Sequence, residues 1–278
     1  MGFETLSEEL QIRVFGDARL PALIHLPGLH GDWTLVTGFR IALKNRVRFV
    51  EITYPRSLSW SVVDYTNAIE HALLSHGITH GWVIGESFGS QFAWELVAGN
   101  LPGTNRSQMD GGKPRFKVDG IVLAAGFVKH PLRHGPGLLR RVGKKITMTQ
   151  YGRGLKLYAL YMRFRHHRTP EGLDNMREFI ARRTYLDRQA MWHRLNLLDQ
   201  YDPRPVARQT RVPVYYLAGF IDPLVPWLLV RGWLRRNCPG YRTGKTFWLA
   251  DHNILGSCPV RAADLVVKWI GNHPGKAS

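Results

Sequence analysis

Cysteine is scarce, with Cys238 and Cys258 the two in 278 residues. A lone pair of thiols makes neither a disulfide framework nor the ligand spacing of a zinc site. Long apolar runs are missing as well. The longest, such as Gly120 to Val128, fall far short of the roughly 20 residues a membrane span needs. Met1 to Leu10 is polar and acidic, unlike a signal or transit peptide, so a soluble cytoplasmic protein is the expectation. Neither a dinucleotide fingerprint nor a phosphate-binding P-loop occurs. Acidic residues are in deficit, with 21 Asp and Glu against 38 Lys and Arg, a formal net charge of +17. Such an excess suits an anionic partner or simply solubility. Without zinc-finger spacing, an RNP-type aromatic motif or a helix-turn-helix signature, nucleic acid is not the expected partner.

What is present is an alternation of short apolar runs with amphipathic stretches. Leu10 to Phe15 alternates apolar and polar residues and predicts an edge strand. Further strands are predicted over Pro21 to Leu26, Val47 to Tyr54, Gly81 to Gly85, Val118 to Ala125, Val212 to Leu217 and Thr246 to Ala250. Helices are predicted from Trp33 to about Leu43 behind an Asp32 cap, and from Ser61 behind a Ser61-Val62-Val63-Asp64 capping box to Gly77. Others follow from Ser90, from Pro226 to Asn237, and from Pro259 to the region of Ile270. Gly99 to Lys117 is polar and predicts a surface loop. Strands alternating with helices imply an α/β fold, a mostly parallel doubly wound sheet with ligands at the carboxyl ends of its strands.

The decisive stretch is Gly81-Trp82-Val83-Ile84-Gly85-Glu86-Ser87-Phe88-Gly89-Ser90. A buried strand runs into G-x-S-x-G and then into a helix. Small residues at the two flanking positions let strand and helix close around a strained serine, whose hydroxyl is lifted clear of the sheet. A serine hydroxyl is a weak nucleophile and needs a base, an acid to orient that base, and donors for the oxyanion. Asp222 lies in a loop just after one predicted strand and His252 just after the last. The order Ser87, Asp222, His252 places all three at strand carboxyl ends, where they can converge.

On Gly85-Glu86-Ser87-Phe88-Gly89, Gly219 to Pro226 and Ala250-Asp251-His252, the chain resembles the α/β-hydrolase superfamily, in particular its capped serine esterases. The resemblance covers roughly residues 22–130 and 210–272. It implies that Ser87 is the nucleophile, His252 the general base and then acid, and Asp222 the residue that holds the imidazole. It also implies an oxyanion hole of two amides: Phe88, after the nucleophile, and a residue of the loop after the early strand. There Pro27 stands where relatives usually carry histidine, so Leu29 is the expected donor, with the register of His30-Gly31-Asp32 as the alternative. Glu86 is expected to be structural or salt-bridged, Asp251 a solvated or capping group, and His25 and His30 either structural or lining the loop. No metal or organic cofactor is implied.

Residues 131–208 differ in character, being helical, aromatic and basic, with 17 Lys and Arg against 6 Asp and Glu. They predict a helical cap inserted into a core made of residues 1–130 and 209–278. An apolar underside with a solvated charged face is one reading of the segment. The other is a basic face that recruits an anionic acyl carrier, a CoA thioester or an anionic membrane surface. The expected activity is hydrolysis of short-to-medium acyl or aryl esters through an acyl-serine. The alternatives are a thioesterase or carrier-protein ester hydrolase and, from a different class, a noncatalytic binding protein on the same fold.

Overall fold

In the computed structural model the described residues are 9–102, 115–132, 137, 147–165 and 178–273. Seven strands form one sheet in the order β1-β3-β2-β4-β5-β6-β7. They are β1 (Gln11–Phe15), β2 (Ala22–Leu26), β3 (Arg48–Thr53), β4 (His80–Glu86), β5 (Lys117–Ala124), β6 (Val214–Gly219) and β7 (Tyr241–Phe247). Only β1 is antiparallel, pairing with β3 at the edge.

The strand sequences explain the layering. Parallel strands covered on both faces are apolar on both, because helices from the crossovers pack above and below. Ile24 and Leu26, Val83, Ile121 and Leu123, and Tyr216 and Ala218 face one core layer. Their alternates Leu23, Trp82 and Ile84, Val122 and Ala124, and Tyr215 and Leu217 face the other. The first layer is covered by α2 (Val62–Ser75), α3 (Ser90–Asn100) and α7 (Trp227–Asn237), the second by α1 (Thr37–Ala42) and α9 (Pro259–Gly271). Between β5 and β6 lie α4 (Met148–Arg165), α5 (Tyr185–Gln200) and α6 (Arg204–Gln209), and the short α8 (Ile254–Ser257) precedes α9.

Local chemistry sets the helix ends. Ser61 and Asp64 form the reciprocal capping box expected at the start of α2. A second box, Thr184 with Asp187, starts α5. It has the same S/T-x-x-D form, visible in the sequence but not read there. The helix expected from Trp33 starts later, at Thr37. Asp32 instead turns the chain locally, its Oδ1 accepting the Thr34 amide at 3.1 Å. The last strand also differs from expectation, lying at Tyr241–Phe247 rather than Thr246–Ala250. It has a single strand neighbour, and its residues are mostly exposed or half-buried, so the apolar pattern used to find it was never required there.

The expected loop over Gly99 to Lys117 is α3 up to Asn100, and residues 103–114 lie outside the described residues. So do Arg140, Arg141, Lys144, Lys145, His166, His167 and Arg168 of the basic segment 131–208. No described helix is long and apolar enough to cross a membrane. Neither Cys238 nor Cys258 is in a disulfide, and burial pushes the Cys238 thiol up to about 11, so it is inert packing.

Candidate active site

β4 ends at Glu86 and the chain turns through a single 3-10 turn, Ser87–Gly89, into α3. Ser87 has φ +49, a left-handed conformation that a non-glycine residue adopts at a cost of about 1–2 kcal/mol. Crowding enforces it. A Cβ on Gly85 would stand 2.7 Å from the Ser90 Cα, and one on Gly89 would collide with the Leu26 carbonyl oxygen. Both glycines of the motif are therefore packing requirements.

The turn is tied to the exit of β5. The Ser90 hydroxyl donates to the Ser87 carbonyl at 2.6 Å and accepts the Phe127 amide at 3.1 Å. Trp94 Nε1 and Gln91 Nε2 donate to the Phe127 carbonyl at 3.1 and 3.3 Å.

The loops after β6 and β7 are zipped together by backbone bonds, Phe220 N to Phe247 O at 2.9 Å and Ile221 N to Ala250 O at 3.1 Å. Gly219 permits this approach, since a Cβ there would meet the Ala250 carbonyl oxygen at 2.6 Å. Asp222 and His252, 30 residues apart, are thereby brought side by side. His252 Nδ1 lies 2.8 Å from Asp222 Oδ2, and His252 Nε2 lies 2.8 Å from Ser87 Oγ. The other Asp222 oxygen accepts the amides of Leu224 at 2.8 Å and Val225 at 3.0 Å. The carboxylate side chain is 1% exposed, the imidazole 21%. Such a carboxylate holds Nδ1 as the protonated nitrogen and leaves Nε2 free to accept from the serine hydroxyl.

Asp251 takes no part in this chain of contacts. Its Oδ1 accepts the Asn253 amide at 3.1 Å and the Ser257 hydroxyl at 2.6 Å, while the N-cap of α8 is Asn253.

On the other side of Ser87 lies the loop after β2. A Cβ on Gly28 would stand 3.5 Å from Ser87 Cβ, so the loop passes directly beside the serine. Gly31 at φ +80 closes a tight turn through Gly31 N to Gly28 O at 3.0 Å. Tyr54 pins both ends, its hydroxyl donating to the Pro27 carbonyl at 3.0 Å and its amide to the Gly31 carbonyl at 2.8 Å. The Asp32 carboxylate is committed elsewhere, to Thr34 and to an ion pair with Arg183.

Arginines from the segment between β5 and β6 hold this loop from behind, which sequence reading missed. Arg194 is buried and donates to the Leu29 carbonyl at 3.0 Å and the His30 carbonyl at 3.4 Å. Arg183 donates to the His30 carbonyl at 3.1 Å as well as pairing with Asp32. Arg56 grips Asp187 with two hydrogen bonds of 2.6 and 3.0 Å. Part of the positive charge expected on a solvated face thus points inward. No local signal could have revealed it, because the partners are separated by 131 to 165 residues.

Burial alone would raise the Asp32 pKa, but the Arg183 guanidinium and neighbouring donors override it and hold the carboxyl down at about 2. Burial lowers the His30 pKa and keeps that ring neutral near pH 7, and its Nε2 has no hydrogen-bond partner among the described residues. Under the elbow, the buried His25 Nε2 sits 3.2 Å from Glu86 Oε2. Burial, the largest single influence, would raise the Glu86 pKa, but the bond to His25 and the nearby His30 and His252 together lower it. Glu86 thus has the buried His25 ring as its hydrogen-bond partner. Among the described residues no group of His, Cys, Asp and Glu is arranged to hold a metal ion.

No protein-family model matches the sequence, and no curated protein resembles it closely enough to count as a relative. Its fold, however, matches solved structures over nearly the whole chain. An esterase from Thermogutta terrifontis superposes with a TM-score of 0.70 at 16% identity, covering 95% of this chain and 94% of that one. An esterase from Exiguobacterium antarcticum gives 0.70 at 12% identity, covering 94% and 95%. An enol-lactonase from Burkholderia xenovorans gives 0.66 at 16% identity, covering 95% of each chain. The chain has the α/β-hydrolase fold.

Proposed function

We propose that the protein is a serine hydrolase of carboxylic esters. The observation that carries this reading is the unbroken run of contacts from Ser87 Oγ to His252 Nε2 and from His252 Nδ1 to Asp222. Ser87 Oγ attacks the ester carbonyl while His252 Nε2 takes its proton. Asp222 holds the imidazole in the tautomer that can accept and then stabilises the imidazolium. The amides of Phe88 and Leu29 receive the oxyanion. His252 returns the proton to the departing alcohol, leaving an acyl-serine. Water, deprotonated by the same imidazole, then releases the acid. The sequence of steps calls for no metal or organic cofactor.

The strained turn at Ser87 supports the nucleophile's role, since backbone strain is retained where the surroundings enforce it. Short-to-medium acyl or aryl esters are the proposed substrates, in keeping with the aromatic-rich segment before β6. Recruitment of a CoA- or carrier-bound acyl group is the second reading. The exposed Arg153 and Lys156 on α4 favour it.

Fluorophosphonate labelling tests the central claim. Wild type is expected to be modified at Ser87, and Ser87→Ala to remain unlabelled. Labelling of neither protein, with no turnover across a panel of p-nitrophenyl esters and acyl-CoA thioesters, would sink it.

A further inference from the structure

Large apolar side chains stand in water beside the two loops that carry Asp222 and His252. Phe220, Ile221, Leu228, Leu229, Trp248 and Leu249 are all exposed, Trp248 by 71% and Leu249 by 76%. Phe220 and Trp248 stand together there. The Phe220 ring lies 4.3 Å from the Trp248 ring and 6.2 Å from that of Trp227, which starts α7 just before Leu228 and Leu229. A cluster of this kind at one rim is unlike the single exposed apolar residues scattered over most proteins.

Cations sit behind this tip at a defined depth. α7 begins at the rim and runs away from it, with Leu228 and Leu229 in its first turn and the exposed Arg235 and Arg236 two turns on, roughly 10 Å further at 1.5 Å per residue. β7 reaches the rim from below, so the exposed Lys245 and Arg242 lie roughly 10 and 20 Å short of Trp248 along an extended chain. Among the described residues none of these four cations forms an ion pair with a carboxylate.

We propose that this rim docks on an anionic membrane surface. Apolar tips of Trp and Leu enter a bilayer by roughly 5–10 Å, which brings Arg235, Arg236 and Lys245, set back by about that depth, to the level of the lipid phosphates, with Arg242 further out. Indole rings favour that boundary. A second copy of the chain fits less well, because two-fold contact would press one cationic collar against another on molecules each carrying a net charge of +17. Docked this way, the rim that carries Ser87, Asp222 and His252 faces the lipid. That last consequence rests on the proposed hydrolase function, and the docking does not.

Flotation with vesicles of phosphatidylglycerol and phosphatidylcholine, against pure phosphatidylcholine, tests it. Wild type is expected to float with the anionic vesicles at low salt and not with the neutral ones. Trp248→Ser/Leu249→Ser is expected to lose at least about tenfold in partitioning, and Arg235→Gln/Arg236→Gln about tenfold or more. Both variants should keep the wild-type Tm and the wild-type rate on soluble p-nitrophenyl acetate. Equal flotation of wild type and the Trp248/Leu249 variant would overturn the proposal, as would no flotation of wild type. A wild-type dimer that this variant dissociates, seen by sedimentation velocity, would assign the rim to a second copy instead. Flotation of a wild type that hydrolyses no ester would remove the hydrolase reading and leave the docking intact.

Discussion

The Asp222–His252 side of the candidate site and the loop beside Ser87 are adjacent in space but are held by different means. Asp222 and His252 sit on loops that belong to β6 and β7, and their supports are short-range. Backbone bonds zip the loops together, and amides two and three residues away fix the carboxylate. The loop after β2 is held from a distance, by buried Arg194 and Arg183 projected from the segment before β6. One side can lose its chemistry without losing its shape. On the other, position and stability share the same bonds.

That contrast can be broken at several points. The largest effect is expected for Ser87→Ala, with kcat falling by about 10⁵-fold or more and Tm unchanged. Steady-state kinetics beside thermal melting would measure both. Asp222→Asn is expected to lower kcat by about 10³–10⁴-fold, because an amide can hold the imidazole in the wrong tautomer. Its fold should persist by circular dichroism. Equal losses of stability in these variants and in the arginine variants would erase the distinction.

Arg183→Met should behave in the opposite way. It leaves Asp32 buried without its cation, and breaking such a pair costs about 3 kcal/mol or more. Denaturant unfolding is expected to show that loss directly. Arg194→Met strips donors from the Leu29 and His30 carbonyls, with an expected cost of about 2 kcal/mol. A fall in kcat of about tenfold should accompany it as the loop relaxes. An unchanged kcat would show that the loop keeps its position without the arginine.

The smallest effect depends on pH. The folded Asp32 has its pKa lowered from 3.8 to about 2, so the unfolded chain binds protons first as pH falls. The stability this pair adds, about 2 kcal/mol, is therefore fully present above about pH 4 and lost as pH falls through about 2. Melting curves of wild type and Asp32→Asn should differ most near neutrality and converge toward pH 2. A constant gap across that range would separate the ion pair from the stability of the loop.

Much of this was legible in the residues. The apolar runs of β2 to β6 had to be buried on two faces, and G-x-S-x-G between strand and helix dictated a strained turn around Ser87. The Ser61–Asp64 box was readable because capping is settled within four residues. β7 was misplaced because its residues are mostly exposed or half-buried and so carry no apolar signature. The start of α1 was misplaced because Asp32 had two local uses, and the turn to Thr34 won over a helix cap. Asp251 and His252, adjacent in sequence, could be told apart because neighbours on a loop point in different directions.

By itself the sequence determined the parallel α/β layering, the conformation around Ser87 and the order of Ser87, Asp222 and His252 along the chain. These follow from periodicity and local sterics, which act over a few residues. Tertiary structure alone decided the 2.8 Å contacts of His252, the burial of Asp222 and the arginine clamp behind Leu29. It also decided that Trp248 and Leu249 would stand in water rather than in the core. Each of those depends on which distant segments the sheet order brings together, and a charge or an indole carries no mark in the sequence of the partner it will meet.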